Sequence, residues 1–366
     1  MAKGVVEEPP VVARCVDQRQ PQDGDPVCVE RGREVAALRK RLGIRISAGN
    51  VVATTTITGS ADTKRELEHW PAPLVDFVQS QGEMRLPAEL VTNMTGNKFE
   101  RPTPVQMQTI PCVLLGHNVL VSAPTGSGKT ASYLIPVISQ ILATREQEES
   151  EASRSALVLA PIRELAMQIE GVAKLLMRGI PNMKTALLVG GFPVPTQRYR
   201  LQCGVQLIVA TPGRFLDIFT NYAGGDAILE EIRTCVIDEV DVMLDVGFRS
   251  QISQIVALLS PVNEQRSQHG GVQILLFSAT ISDEVEMLVQ QTLKIQSEQS
   301  YLRIEVGGNS SKALRDESSA AFPMNAGIQQ RVRWTEDKAK KKELFTFLTE
   351  KHEESTVSGT VSWAEA

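Results

Sequence analysis

The sequence has few of the residues that build covalent or metal-linked frameworks. It holds five cysteines and four histidines among 366 residues, and no two cysteines form a C-x-x-C pair. The cysteine spacing therefore indicates neither a disulfide framework nor a zinc site. The histidines show no ligand spacing, so we expect no metal role for them. Cys235 lies in the apolar run TCVID and is expected to be a buried, inert thiol.

Long apolar runs are also missing. No run approaches the roughly 18–20 residues that a membrane-spanning helix needs. The N-terminal stretch MAKGVVEEPPVVARCVDQRQ lacks the apolar core and cleavage site of a signal peptide. We therefore expect an intracellular chain, in the cytoplasm, the nucleus or both, with no membrane partner.

The composition is that of a chain able to bury a core. Hydrophobic residues make up 42% of it, while 26 glycines and 19 prolines are too few for a collagen-like chain. At roughly 150 residues per domain, its length allows about two domains. The formal net charge of −5 argues against one large basic face. It leaves room for a local nucleic-acid groove, because local charge binds phosphates.

Periodicity divides the chain into three parts. Residues 1–68 are interpreted as a mostly disordered extension with one short helix, marked by the spacing of Val35, Leu38 and Leu42, before a Thr-rich extended segment. Residues 69–306 alternate apolar runs with helical patterns and form the domain body. Residues 307–366 are interpreted as a linker followed by the truncated start of another domain, with a charged helix that carries Leu344 and Leu348.

Six apolar runs in the body predict strands buried on both faces, because they are rich in Val, Ile and Leu and do not alternate with polar residues. They are NVLVSA (118–123), ALVLA (156–160), KTALLVG (184–190), VQLIVA (205–210), TCVID (234–238) and VQILLFSAT (272–280). Helical stretches between them indicate right-handed βαβ units. The predicted fold class is α/β with a doubly wound parallel sheet and disordered N- and C-terminal extensions. Polar stretches at 146–154, 263–271 and 307–327 are predicted loops.

A Gly-rich segment, APTGSGKT at 123–130, directly follows the first of these runs and precedes a helical pattern. Strand, glycine-rich turn and helix are together typical of a phosphate-binding loop. Its backbone N–H groups and the helix N-terminus attract phosphate oxygens. Lys129 is placed to reach the β- and γ-phosphates, and the Thr130 hydroxyl to bind Mg²⁺.

An acidic segment, DEVD at 238–241, follows the buried run TCVI. A carboxylate at the end of a buried strand, here Asp238, is suited to hold Mg²⁺ opposite the phosphate loop. The neighbouring Glu239 is then placed to polarise the water that attacks the γ-phosphate.

Further short motifs stand in a fixed order along the chain. After APTGSGKT come PIRELA (161–166), Gly190-Gly191, TPGR (211–214), DEVD and SAT (278–280), and Phe99 with RPTPVQ precedes them. In order and spacing they resemble the DEAD-box ATP-dependent RNA helicases. Within that family LRKRLGIRI, VQMQTIPCVLLG and KTALLVGG are most similar to the member that carries a HIT-type zinc finger. GDPVCVE resembles the start of that finger, but its other ligands are missing, so no zinc is expected.

The resemblance implies a RecA-like P-loop NTPase domain that uses ATP and Mg²⁺ and binds RNA. Gln106 would bind the adenine edge, with Phe77 or Phe99 near the ring, and Ser278 and Thr280 would couple nucleotide state to RNA binding. The catalytic residues would be Glu239, Asp238 and Lys129, with Thr130 and Asp238 on the metal. The implied ATP site comprises Phe99, Gln106, Ala123, Thr125, Gly126, Ser127, Gly128, Lys129 and Thr130. The implied RNA contacts are Arg163, Gly191, Thr211 and Arg214, although the two arginines could instead form surface salt bridges.

Three features depart from the family pattern. Ile162 stands where Thr is usual, which removes a hydroxyl that could bind RNA, and Val240 stands where Ala is usual. No H-R-x-G-R pattern, the source of the arginine finger in the family's second RecA-like domain, follows residue 280. We therefore expect the ATP-binding half of a helicase. Its alternative is a catalytically impaired, truncated form that binds ATP and RNA without unwinding, with slow hydrolysis that RNA stimulates little.

A different P-loop enzyme, such as a GTPase or a DNA translocase, is the other class considered. A GTPase needs a guanine-reading N-K-x-D after the phosphate loop. The N-K of this chain, Asn97-Lys98, is followed by Phe99-Glu100 and lies before the loop.

Overall fold

All six runs predicted as strands lie in one eight-stranded sheet of the computed structural model. The structure describes residues 26–49, 70–78, 86–147, 154–221, 225–259, 271–295, 300–307 and 334–358. The strands are β1 (Ile44–Gly49), β2 (Asn118–Ser122), β3 (Ser155–Leu159), β4 (Thr185–Leu188), β5 (Leu207–Ala210), β6 (Ile232–Ile237), β7 (Gln273–Ser278) and β8 (Tyr301–Val306). Their order across the sheet is β1-β8-β2-β7-β6-β3-β5-β4.

Helices connect and cover the strands. Before β4 they are α1 (Pro26–Leu42), α2 (Ala88–Gly96), α3 (Pro104–Leu114), α4 (Lys129–Gln147) and α5 (Arg163–Leu176). Those after β4 are α6 (Val194–Gln202), α7 (Pro212–Asn221), α8 (Gly225–Glu231), α9 (Val240–Asp245), α10 (Arg249–Leu259), α11 (Asp283–Ile295) and α12 (Lys340–Ser358).

The central strands are buried on both faces, as predicted. Neighbouring strands in the series β2-β7-β6-β3-β5-β4 are all parallel, and β2 also pairs in parallel with β8. Successive side chains of a strand point to opposite faces. Val119 and Val121 accordingly belong to one hydrophobic core, whereas Leu120 belongs to the other. The doubly wound α/β fold therefore has one core on each side of the sheet.

The N-terminal boundary of the domain body differs from the prediction. Residues 44–49 were assigned to the extension before residue 69, but they form β1, which pairs antiparallel with β8. Ile44 and Ile46 are buried while Arg45 and Ser47 are exposed, so β1 is a short alternating strand and not a uniformly apolar run. The helix predicted from Val35, Leu38 and Leu42 is confirmed as part of α1.

The other expectations for the N-terminal extension, which concern residues 1–25 and the Thr-rich segment 51–60, lie outside the described residues. Most of the predicted loops at 146–154, 263–271 and 307–327 also lie outside them. The predicted charged helix is present as α12, which lies in the second of the two units into which the chain divides. Within the described ranges, no helix is long and apolar enough to cross a membrane.

Candidate nucleotide site and adjoining surface

The glycine-rich loop at 123–128, which the sequence predicts to bind phosphate, lies between β2 and α4; we call it the phosphate-binding loop. Gly126 and Gly128 have φ values of 75° and 95°, in the left-handed region that favours glycine. The loop turns tightly there and delivers the N-terminus of α4, whose unpaired N–H groups carry partial positive charge. The buried hydroxyl oxygen of Ser127 has no hydrogen-bond partner among the described residues, so the loop retains polar capacity for a ligand.

Lys129 opens α4 and folds its side chain back over the loop. Its Nζ donates to the carbonyl of Ala123 at 2.7 Å and lies 3.4 Å from that of Pro124. Burial lowers the pKa of the ammonium group, and the nearby carboxylates of Asp238, Glu239 and Asp241 oppose that shift. The DEVD segment therefore lies close enough to the loop to act electrostatically on its lysine.

Asp238 follows the last residue of β6, and both of its carboxylate oxygens are held. Oδ2 accepts a 2.8 Å hydrogen bond from the Tyr133 hydroxyl of α4, and Oδ1 accepts one from the backbone N–H of Glu239 at 3.0 Å. Burial raises the pKa of Asp238 to about 6, although Tyr133 and Lys129 act to lower it. The Asp238 side chain is thus oriented at the carboxyl end of the sheet, and burial makes its ionisation less favourable than in water.

Glu239 adopts an unusual backbone conformation at the N-cap of α9. Its φ of 50° and ψ of 56° are left-handed, which is rare for a residue with a side chain. Such strain, about 1–3 kcal/mol per residue, concentrates at functional sites. The neighbouring Val240 is fully buried in the core, which accommodates the larger side chain that departs from the family pattern.

Gln106 directly contacts the phosphate-binding loop. It lies in the first turn of α3, where its Oε1 accepts the N–H of Thr103 at 3.0 Å and its Nε2 donates to the Gly128 carbonyl at 3.2 Å. A Cβ at position 128 would lie 2.5 Å from Gln106 Nε2, so only glycine permits this approach. Of the two aromatic candidates, Phe77 is buried in the core, whereas Phe99 is only partly buried.

A second contact joins the DEVD and SAT segments. Oδ2 of Asp241 accepts hydrogen bonds from the Thr280 hydroxyl and N–H, both at 3.0 Å, and from the Ala279 N–H at 3.2 Å. Ser278 donates its hydroxyl to the Thr280 carbonyl at 2.5 Å. The sequence interpretation assigned Asp241 no role. Asp241 belongs to the DEVD motif, but its partners Ala279 and Thr280 are distant in sequence, so only the fold shows the contact.

The residues predicted for RNA lie around the carboxyl ends of β3, β4 and β5. A Cβ on Gly191 would be 3.0 Å from Nη1 of Arg163, and Arg214 donates to the Phe192 carbonyl at 3.0 Å. The Thr211 N–H donates to the Leu188 carbonyl at 3.0 Å. The structure thus brings these four positions to one edge of the sheet.

Both arginines also form the ion pairs considered as their alternative interpretation. Arg163 Nε lies 2.6 Å from Glu164, and Arg214 Nε lies 3.5 Å from Asp217. Arg163 is largely exposed, and Ile162 before it is 49% exposed. An exposed ion pair contributes little free energy, so an anionic ligand could replace it at low cost.

The site's donor atoms fit a magnesium nucleotide. A buried carboxylate at Asp238 and the hydroxyl of Thr130 are hard oxygen ligands of the kind Mg²⁺ prefers. Among the described residues, no group of three or more His, Cys, Asp or Glu side chains could hold a metal ion. In phosphate sites Mg²⁺ is usually held by one or two carboxylates together with the ligand's own phosphates.

A mostly parallel sheet with a glycine-rich loop at its carboxyl edge, opposed by an acidic strand end, defines a P-loop nucleotide-binding domain. A sequence model described as DEAD/DEAH box helicase matches residues 103–288. The chain is 35% identical over 368 residues to DEAD-box ATP-dependent RNA helicase 41 of Arabidopsis thaliana, covering 92% of this chain and 67% of that protein. The chain therefore belongs to the DEAD/DEAH box helicase family.

Other relatives agree with this assignment. The chain is 42% identical to the probable ATP-dependent RNA helicase DDX59 of Homo sapiens, over 76% of this chain and 39% of that protein. The DEAD-box helicase Mss116, solved bound to ssRNA and UDP-BeF, matches with a TM-score of 0.54 and 30% identity, over 61% of this chain and 44% of that one. A DEAD box protein from Methanococcus jannaschii matches with a TM-score of 0.52 and 30% identity, over 64% and 56%.

Proposed function

We propose that the chain is the ATP-binding half of an ATP-dependent RNA helicase, which couples ATP binding and hydrolysis to RNA binding and unwinding. The observation that carries this proposal is the contact of Gln106 with Gly128 in a loop that also holds Lys129, with Asp238 near that lysine. The family membership and the names of the relatives support the same function. The chain spans 67% of the Arabidopsis relative but 39% of the human one.

In this proposal the nucleotide lies along the loop and the N-terminus of α4. Gln106 and Phe99 would bind the adenine, and the segment from Ala123 to Thr130, with Thr125, Gly126, Ser127 and Gly128, would surround the phosphates. Lys129 would exchange its carbonyl partners for phosphate oxygens, a stronger charge-assisted interaction. Asp238 and Thr130 would hold Mg²⁺, which when bound supplies positive charge to the phosphates.

Hydrolysis would depend on the strained turn after β6. Glu239 would orient the attacking water and accept its proton. The left-handed backbone at Glu239 supports this role, because it directs the residue away from the course of a regular helix. Ser278 and Thr280 would couple the nucleotide state to RNA binding. The coupling would use the hydrogen bonds that Thr280 donates to Asp241 in the DEVD segment.

RNA would bind at the sheet edge formed by Arg163, Gly191, Thr211 and Arg214. Contacts to phosphate and sugar from arginines, backbone N–H groups and helix N-termini bind RNA without reading its sequence. The solved helicase Mss116 is described as bound to ssRNA, which supports an RNA ligand for this chain as well.

The test measures ATP affinity and RNA-stimulated hydrolysis for the wild type, Lys129→Ala and Glu239→Gln. We expect the first variant to lose ATP affinity and the second to bind ATP but lose hydrolysis. Lys40→Ala and Glu230→Gln, at exposed positions away from the site, are the matched controls. Unchanged behaviour in both site variants would refute the assigned site, and a preference for GTP would refute the adenine contact of Gln106.

The same experiment separates the helicase from a chain that binds ATP and RNA without unwinding. In related phosphoryl transfers an arginine finger contributes about 10³–10⁵ in rate, so a chain acting without one would hydrolyse ATP slowly. This alternative predicts ATP binding with slow hydrolysis and little stimulation by RNA. Robust RNA-stimulated turnover by this chain would exclude it.

We also propose that, within the family, the chain is most similar to the member with a HIT-type zinc finger. The support is the resemblance of residues 38–46, 105–116 and 184–191 to that member. Metal analysis of the purified chain is expected to find no stoichiometric zinc, because most ligands of such a finger are missing from the sequence.

A further inference from the structure

Arg39 is a buried arginine that none of the nucleotide or RNA motifs contains. It lies in α1 with a relative exposure of 8%. Its Nε donates to Oε1 of Gln108 at 2.9 Å, and its Nη2 donates to the Pro71 carbonyl at 2.8 Å and lies 3.4 Å from that of Trp70. A buried guanidinium is costly unless its donors are matched, so this set of acceptors holds the side chain in one place.

The partners of Arg39 also bind one another. Gln108, fully buried, donates its Nε2 to the Pro71 carbonyl at 2.9 Å. The same segment is attached to α3 through the Leu74 N–H and the Met107 carbonyl at 2.7 Å. Three pieces of chain, namely α1, residues 70–78 and α3, therefore meet around one hydrogen-bonded cluster, which we call the Arg39 cluster (Arg39, Trp70, Pro71 and Gln108).

Helix α3 lies between this cluster and the phosphate-binding loop. Gln106 and Gln108 are two residues apart, and at 3.6 residues per turn their side chains point in nearly opposite directions. Gln106 contacts the Gly128 carbonyl, whereas Gln108 contacts Arg39. Helix α3 is thus held on one side by Arg39 and on the other by the Gly128 carbonyl. If the contact of Gln108 with Arg39 is lost, the N-terminal turn of α3 can shift and the contact of Gln106 with Gly128 changes.

We propose that Arg39 is a positioning residue for adenine recognition: it anchors α3 to α1 so that Gln106 is held at the edge of the phosphate-binding loop. This inference rests on the proposed function, because it assumes that Gln106 reads the base. To contact a base, the Gln106 amide must be held within about 0.5 Å of its productive position. Packed and hydrogen-bonded residues behind it, here the Arg39 cluster, provide that support. Arg39 would then act on the nucleotide site only through α3, while the exposed residues of α1 would take no part in nucleotide binding.

The test compares Arg39→Met with Arg41→Met, which makes the same charge change at an exposed position of the same helix. The affinities for ATP and for GTP are measured by displacement of a fluorescent ATP analogue. For Arg39→Met we expect ATP affinity to fall about tenfold with a much smaller change for GTP, so that the ATP:GTP selectivity ratio falls. For Arg41→Met we expect no change in that ratio.

A second variant distinguishes a loss of adenine recognition from a general loss of folding. Gln108→Met leaves Arg39 its carbonyl acceptors on residues 70 and 71, so it is expected to fold and to lower the selectivity ratio in the same direction. The double variant should be no worse than the more affected single variant, because both act on one contact. Arg39→Lys should recover part of the ratio.

The outcomes distinguish the inference from the function on which it rests. If wild type binds ATP selectively and Gln108→Met and folded Arg39→Met keep its selectivity ratio, Arg39 only stabilises the fold and the inference is wrong. An Arg39→Met chain that does not fold leaves the decision to Gln108→Met alone. If the wild type itself shows no preference for ATP over GTP, the proposed adenine contact of Gln106 is wrong, whatever Arg39 does.

Discussion

The hydroxyl of Tyr133 donates a 2.8 Å hydrogen bond to Oδ2 of Asp238, and both side chains are buried. The Tyr133 ring packs against Phe277 of β7, with ring centroids 4.9 Å apart, which fixes the direction of the hydroxyl. With the Glu239 N–H on the other oxygen, the carboxylate is oriented from both sides. The strand end therefore presents Asp238 to the phosphate-binding loop in a single arrangement.

Tyr133→Phe is expected to move the pH dependence of magnesium binding. Burial raises the pKa of Asp238 to about 6, and the Tyr133 bond acts against that rise. Because Mg²⁺ needs the ionised carboxylate, Mg²⁺-dependent nucleotide affinity should fall in the wild type as the pH drops through about 6. Without the hydroxyl the pKa is higher still, so the fall should begin at a higher pH.

The measurement is the affinity for a fluorescent ATP analogue, with and without Mg²⁺, between about pH 5 and pH 8. Tyr199→Phe, at an exposed tyrosine, removes the same hydroxyl elsewhere and should leave the profile unchanged. The sign of the stability effect is also defined. Because the folded pKa of about 6 exceeds the unfolded value of about 4, the ionisation of Asp238 lowers the free energy of unfolding as the pH rises from about 4 to about 6. Superimposable profiles for the wild type and Tyr133→Phe would contradict the role of the hydrogen bond.

Asp241→Ala is expected to separate the DEVD and SAT segments. The Asp241 carboxylate accepts three hydrogen bonds from Ala279 and Thr280, so its removal should lower the free energy of unfolding by about 2 kcal/mol. Thr280→Ala removes only the hydroxyl donor and should cost less. Denaturant titration measures both effects.

The same pair of variants tests the coupling assigned to Thr280. RNA affinity is measured with and without a non-hydrolysable ATP analogue, and the ratio of the two values reports the coupling. In Asp241→Ala we expect this ratio to approach one while the affinity for the nucleotide alone persists. A variant that loses stability but keeps the wild-type ratio would limit Asp241 to a structural role.

Glu239→Gly is expected to be more stable than Glu239→Gln by about 1 kcal/mol, because glycine adopts the left-handed conformation without steric cost. Both variants lack the carboxylate that is proposed to activate water, so both should bind ATP and neither should hydrolyse it. Thermal unfolding and single-turnover hydrolysis provide the two readouts. A Glu239→Gly chain less stable than Glu239→Gln would mean that the side chain makes contacts that outweigh the strain.

The sequence predicted the fold best where a local structure accepts only a few residue types. Uniformly apolar runs predicted the central strands correctly, because strands buried on both faces tolerate few other residues. The glycines of the phosphate-binding loop were equally clear, since the turn at Gly126 and Gly128 requires left-handed backbone. The buried thiol predicted at Cys235 is confirmed, and burial raises its pKa to about 12.

Features that depend on distant pairs could not be predicted. The tyrosine hydroxyl on Asp238 joins residues 105 positions apart, and Arg39 lies 69 positions from Gln108. No local periodicity reports such contacts. Strand β8 was missed because Arg303 and Glu305 interrupt its apolar pattern, although Arg303 pairs with Glu286 and Glu305 in the fold. Strand β1 was missed for a related reason, since its alternation is short and its partner is β8.

Gly49→Ala tests whether β1 is an integral part of the domain. In the β1–β8 pair Gly49 lies opposite Tyr301, and a Cβ at position 49 would overlap the Tyr301 ring. The ring must move or the strands must separate, so we expect a loss of about 1–3 kcal/mol in unfolding free energy. Ser47→Ala, exposed on the same strand, should cost little.

A double-mutant cycle identifies the cause of that loss. In a Tyr301→Ala background the ring is gone, and Gly49→Ala should then change the unfolding free energy by less than about 0.5 kcal/mol. Urea titrations of the four chains provide the coupling energy. If Gly49→Ala is as costly without the ring as with it, the glycine is required for its backbone and not for the space that Tyr301 occupies. If it costs nothing in either background, the pairing of β1 with β8 does not contribute to the folded domain.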